Sequence, residues 1–189
     1  SVSGLKQGWI LYAYVKPEAE DITGKITINP KRVEDLLSRL TTIKAVTDEI
    51  ARSGFSQLNT ASLFEVVLAG AMANRASDIH FEAEEKESKI RFRIDGVLHD
   101  IFDKLPNKNY RMLVSRIKLL SGLKINVKDE AQDWRFTIDF KSKEVEMRVS
   151  IIPSEFGETI VMRILDPESI HIGLAALGLR EDDVAMVQR

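Results

Sequence analysis

"ASDIHFEAEEKESKIRFRIDGVL" (Ala76–Leu98) decides the fold, because two period-two patterns and a turn follow one another within it. Ile79 and Phe81 alternate with Asp78, His80 and Glu82, and Ile90, Phe92 and Ile94 alternate with Arg91 and Arg93. Successive side chains of a strand point to opposite faces, so each run has one apolar and one charged face. Asp95-Gly96 is a strong hairpin signal before a third run, "VLHDIF" (Val97–Phe102).

Further along, an amphipathic helix is predicted from about Asn107 to Ser121. It buries Tyr110, Leu113, Val114, Ile117 and Leu120, exposes Arg111, Ser115 and Lys118, and ends at Gly122. Three more strands follow. "WRFTIDF" sets Trp134, Phe136, Ile138 and Phe140 against Arg135, Thr137 and Asp139. "EVEMRVS" turns Val145, Met147 and Val149 inward, and "TIVMRIL" does the same with Ile160, Met162 and Ile164. Lys141-Ser142-Lys143 joins the first two as a hairpin. Upstream, "NTASLFEVVLAGAMANRA" reads as a helix capped by Asn59, Thr60 or Ser62. Leu63, Val66 and Val67 lie on its packed face, and Gly70 allows a close approach to the sheet.

The expected fold is therefore α+β: an antiparallel sheet with helices packed on one face, preceded by a short helical module. Residues 1–28 read as an extended or linker segment in which only "WILYAYV" has strand character. Residues 29–57 read as a small helical module. Its first helix opens at Asn29-Pro30 and carries Val33, Leu36, Leu37 and Leu40; its second carries Ile43, Val46 and Ile50. Residues 58–170 form the α+β unit. Residues 171–189 read as the start of a further, truncated domain.

The chain has 189 residues, of which 44% are hydrophobic, enough for a packed core. It has no cysteine, which excludes disulfides, thiolate metal sites and cysteine nucleophiles. A net charge of -2 gives no general attraction for nucleic acid, and none is expected as a partner.

The candidate chemistry lies on the charged face of the sheet. Arg91, Arg93, Arg135, Arg148 and Arg163 all fall at outward positions. Guanidinium forks suit phosphate oxygens, and strands hold them in better order than loops do. The pattern alone leaves three readings open: a face for a phosphate-bearing ligand, a protein-binding face, or a solvated face with arginines paired to Glu82, Glu144, Glu146 and Asp139. The solvated face is the commonest case. Asp78, His80 and Glu82 share a side of one strand, but ligands two residues apart diverge, so no metal site is expected. Trp134 and Phe136 are expected to pack in the core, and Arg111 and Lys118 to be solvated. "GLAALGLR" places Gly173 and Gly178 at Walker A spacing but has Leu179 and Arg180 where that motif needs Lys and Ser/Thr. No complete catalytic constellation is present.

"RASDIHFE", "RFRIDGVL", "SRIKLLSGLKI", "QDWRF", "MRVSIIPSEFGETIVMRILD" and "ALGL" occur in an order and spacing that resembles the ATPases of type II secretion and type IV pilus assembly. The chain looks like the second N-terminal domain of that family, cut before the RecA-like motor domain. The resemblance implies a cytoplasmic homo-hexamer, peripheral to the inner membrane through an assembly platform protein. It implies ATP and Mg²⁺ in the full-length protein and none in this piece, which lacks Walker A and Walker B and is expected to be inactive alone. It also implies that Arg91, Arg93, Arg135, Arg148 and Arg163 approach the nucleotide phosphates, Arg93 and Arg135 first. The family usually has Gly where this chain has Trp134, which either alters a turn or starts the strand earlier. The rival expectation is a non-catalytic protein-interaction module with a charged sheet face.

Overall fold

The structure, a computed structural model, describes residues 25–27, 30–52, 60–140 and 143–165. The "WILYAYV" strand and the segment 171–189 lie outside the described residues. The elements are β1 (Lys25–Thr27), α1 (Pro30–Arg39), α2 (Ile43–Arg52), α3 (Thr60–Ala73), β2 (Asp78–Glu82), β3 (Glu87–Ile94), β4 (Val97–Pro106), α4 (Asn107–Leu120), β5 (Gln132–Phe140), β6 (Lys143–Ser154) and β7 (Gly157–Leu165).

The strand order is β1-β5-β6-β7-β2-β3-β4. Two antiparallel meanders, β2-β3-β4 and β5-β6-β7, lie side by side and are joined where β2 pairs antiparallel with β7. The six antiparallel strands are those read from the sequence. The short β1 is an addition, pairing parallel to the β5 edge with Ile26 opposite Ile138. Asp95 and Gly96 have φ of 49° and 81°, which makes the β3–β4 connection the twisted two-residue turn their sequence predicts. Strand β4 continues past Phe102 to Pro106, with register shifts around Ile90 that break its alternation.

One face of the sheet buries Ile79, Phe81, Ile90, Phe92, Phe136, Met147, Val149, Ile160 and Met162. Each such side chain contributes about 1.5–3 kcal/mol when fully removed from water. Val33, Leu36, Leu40, Val46 and Ile50 of the helical module belong to the same continuous core. Helix α3 is buried from Leu63 and Phe64 through Val66 to Ala71, a wider covering than the single packed face expected. Its composition explains this: Glu65 is its one charged residue, so no side of it prefers water. The close approach at Gly70 is made to helix α2 and not to the sheet. A Cβ there would lie 2.7 Å from Val46 Cγ2.

Helix α4 ends at Gly122, whose φ is 68°. The Leu123 N–H donates to the Lys118 carbonyl at 2.8 Å and the Gly122 N–H to the Leu119 carbonyl at 3.3 Å, so glycine's left-handed freedom closes the last turn. Tyr110 of α4 fixes the helix over the junction of the two meanders. Its hydroxyl lies 2.9 Å from the Phe81 carbonyl on β2 and 2.6 Å from the Glu158 carbonyl on β7, and its one proton serves either. Burial pushes this phenol well above its ordinary pKa.

Lys118 is not solvated as expected. Its side chain is 1% exposed, its Nζ donates to the Val127 carbonyl at 2.6 Å, and it forms an ion pair with Glu158. The helical period does place it on the outer flank, but the loop after α4 folds back and covers it.

Lys118→Ala is expected to cost about 3–5 kcal/mol in urea unfolding, because it leaves the largely covered Glu158 carboxylate without its counter-ion. Lys44→Ala, which removes an exposed pair with Asp48, is expected to change the unfolding free energy by under about 1 kcal/mol. Gly70→Val is expected to lower stability by about 1–3 kcal/mol through overpacking against Val46.

Candidate functional site

The register brings the five candidate arginines onto the sheet face opposite the helices. Arg135 on β5 pairs with Arg148 on β6, Arg148 with Arg163 on β7, Arg163 with Asp78 on β2, and Asp78 with Arg93 on β3. Adjacent strands lie about 4.8 Å apart, so this transverse row of four arginines around one aspartate spans about 20 Å. Arg91 sits one step further along β3, between His80 and Asp100. Strand β5 begins at Gln132, before Trp134, which pairs with Val149. Trp134 thus lies within the strand, and Arg135 is in register with the row.

Each arginine has a carboxylate partner, and the partners sort them. Arg148 donates from Nε to both Asp133 oxygens, at 3.2 and 3.1 Å, and from Nη2 as well. Ser150 Oγ also donates to Asp133, at 3.2 Å. Arg91 lies between Asp100 (2.7 Å) and Glu82 (3.5 Å). These two guanidiniums brace neighbouring strands, and their side chains are 26% and 29% exposed. Arg135 is held more loosely, 3.5 Å from Glu146. Arg93 lies 3.5 Å from Asp78 and donates to the Gly96 carbonyl at 3.2 Å. Arg163 is the most open at 60% exposure and donates from Nε to Asp78 Oδ1 at 2.8 Å.

Two partners expected from the sequence, Glu82 and Glu146, are in place. Asp78, Asp100 and Asp133 were not foreseen, because only the strand register shows which carboxylate faces which arginine. The face is also drier at its centre than expected: Asp78 and His80 are buried. Strand β2 is flanked on both sides, so long side chains from β3 and β7 cover its short ones. Among the described residues no cluster of three or more His, Asp or Glu is arranged to hold a metal ion. A groove of about 410 Å³ between α4 and the β6–β7 turn lies on the helix side of the sheet, away from the arginine row.

Burial lowers the pKa of His80 below its ordinary value. The nearby carboxylates Asp78 and Glu82 oppose the shift, and Arg93 and Arg91 add to it. The unfolded chain therefore takes up a proton near pH 6.5 before the folded one does. The stability this residue contributes is present above that pH and is lost as pH falls through the folded value. In His80→Gln, unfolding free energy measured between pH 7 and pH 5 is expected to fall less steeply than in the parent chain. Identical slopes would show that His80 does not carry this dependence.

Comparison with known proteins places this face in context. A family model described as "Type II/IV secretion system protein" matches residues 56–189. The type IV pilus assembly ATPase PilB of Myxococcus xanthus is 33% identical over 175 residues, covering 92% of this chain and 29% of that protein. The type II secretion system protein E of Pectobacterium carotovorum is 41% identical over 119 residues, covering 63% of this chain and 24% of that protein. A solved structure of the Legionella pneumophila ATPase DotB aligns over 65% of this chain and 33% of that one, at 19% identity and a TM-score of 0.38, too distant to support any argument. The chain thus spans less than a third of the length of these curated relatives. With well over half of its residues matched by the family model, the chain belongs to the type II/IV secretion system protein family.

Proposed function

We propose that residues 58–170 are the nucleotide-contacting N-terminal domain of a secretion or pilus-assembly ATPase, and that Arg163, Arg93 and Arg135 face the ATP phosphates. The observation that carries this reading is the transverse arginine row on the sheet face left open by the helices. Helices α1 and α2 share the core of that domain, and residues 171–189 are the start of the RecA-like motor domain that supplies Walker A and Walker B.

The geometry favours Arg163 and Arg93 over the pair Arg93 and Arg135. Arg163 and Arg93 flank the same aspartate and belong to the more exposed members of the row. Arg148 and Arg91, the less exposed members, pair with Asp133 and with Glu82 and Asp100, and hold the strands that carry the others. A triphosphate concentrates several negative charges, and its oxygens accept from guanidinium forks as the carboxylates now do. As the terminal phosphate is cleaved, guanidiniums already in position stabilise the developing charge without reorganising. Phosphate contact with the unengaged Nη groups of these arginines couples hydrolysis to rigid-body rotation of this domain within a homo-hexamer at the inner-membrane platform.

A second reading has an observation of its own. Each of the five arginines is matched by a carboxylate, so the face is close to neutral and suits a protein partner with interleaved charges.

In the full-length protein, Arg163→Ala and Arg93→Ala are each expected to lower kcat/KM for ATP by about 10- to 100-fold, with folding intact by circular dichroism. Near-normal turnover in both, with normal assembly, would overturn the phosphate role and leave the protein-interaction reading.

A further inference from the structure

We infer that Asp78 is a positioning residue for nucleotide binding, acting through Arg163; this rests on the arginine row facing phosphate. Asp78 is 4% exposed, lies in the row between Arg163 and Arg93, and also accepts a hydrogen bond from Ser77 Oγ at 2.8 Å. A buried carboxylate on the central strand has a fixed place, and it holds Arg163 by Nε alone. That contact sets the plane of the guanidinium while engaging only one of its five N–H donors. Among the described residues Arg163 has no other hydrogen-bond partner, so the four N–H groups on its two Nη atoms remain for an incoming phosphate.

The arrangement differs at every other member of the row. Arg148 commits Nη2 as well as Nε to Asp133. Arg93 sits 3.5 Å from Asp78 and is anchored a second time by the Gly96 carbonyl, so it depends less on Asp78. Arg163 is the most exposed of the five and has one rigid anchor. Such pre-orientation removes part of the ordering cost of binding, and misplacement of a group by about 1 Å can cost up to about 100-fold. The role also explains why an acidic residue sits between two arginines of a phosphate-facing row. Its negative charge opposes phosphate binding, and it is retained because it orients the guanidinium and keeps two neighbouring cations from repelling one another.

The test is steady-state ATP hydrolysis by the full-length protein carrying Asp78→Asn, Arg163→Ala, both together, or Arg163→Lys, with a thermal unfolding midpoint for each. Asp78→Asn is expected to raise KM about tenfold with kcat within about twofold, since charge on Arg163 remains and only its orientation is lost. The double variant is expected to lie within about twofold of Arg163→Ala, because Asp78 has nothing left to orient. Unchanged KM and kcat in Arg163→Ala would overturn the reading of Arg163 as a phosphate contact, and this inference with it. Impairment in Arg163→Ala combined with normal kinetics in Asp78→Asn, or a further tenfold loss in the double variant, would overturn the positioning role alone. If Asp78→Asn does not fold, Arg163→Lys decides. Lysine keeps the charge but has no fork to share between aspartate and phosphate, so turnover like that of Arg163→Ala is expected, and parental turnover refutes the inference.

Discussion

The pairing of β2 with β7 is the constraint on which the rest of the molecule depends. It joins the two three-stranded meanders into one sheet, and it brings together residues 85 positions apart in the chain. On the apolar face it places Ile79 and Phe81 beside Met162 and Ile160, under α3 and α4. On the polar face it places Asp78 beside Arg163. One register therefore fixes both the packing and the charge pattern, and a slip of one residue would exchange the two faces.

Several side chains hold this junction from both sides. Tyr110 reaches carbonyls of β2 and β7 from the helix layer, and Lys118 meets Glu158 at the start of β7. Asp78 bridges β7 and β3 from the open face. Among the buried polar residues, Asp78, His80 and Lys118 thus lie at or over the junction where neighbouring strands have no direct covalent connection. Hydrogen bonds and charge pairs with fixed geometry select one register there, which apolar contacts do less well because many arrangements bury similar area.

The candidate site follows from the same design. Long strands carry the arginines, carboxylates on neighbouring strands hold them, and Arg163, held by a single hydrogen bond, is the most exposed. Rigidity comes from Arg148 with Asp133 and from Arg91 with Glu82 and Asp100, whereas Arg163 and Arg93 retain free donor capacity. The same side-chain chemistry is thereby divided between bracing the sheet and facing outward, according to how many carboxylate contacts each arginine makes.

Alternation of apolar and charged residues determined by itself the six antiparallel strands, the turn at Asp95-Gly96, the α4 helix and the common face of the five arginines, because side-chain direction along a strand is a local property. The Asp78, Asp100 and Asp133 partners depended on register between strands, which no local pattern encodes. Helical period set Lys118 on an outer flank, but the loop after α4 buried it against Glu158. The contact of Gly70 with Val46 arose the same way, from how helices stack. Only the tertiary structure decided these points, since burial and charge pairing depend on what the rest of the chain brings alongside.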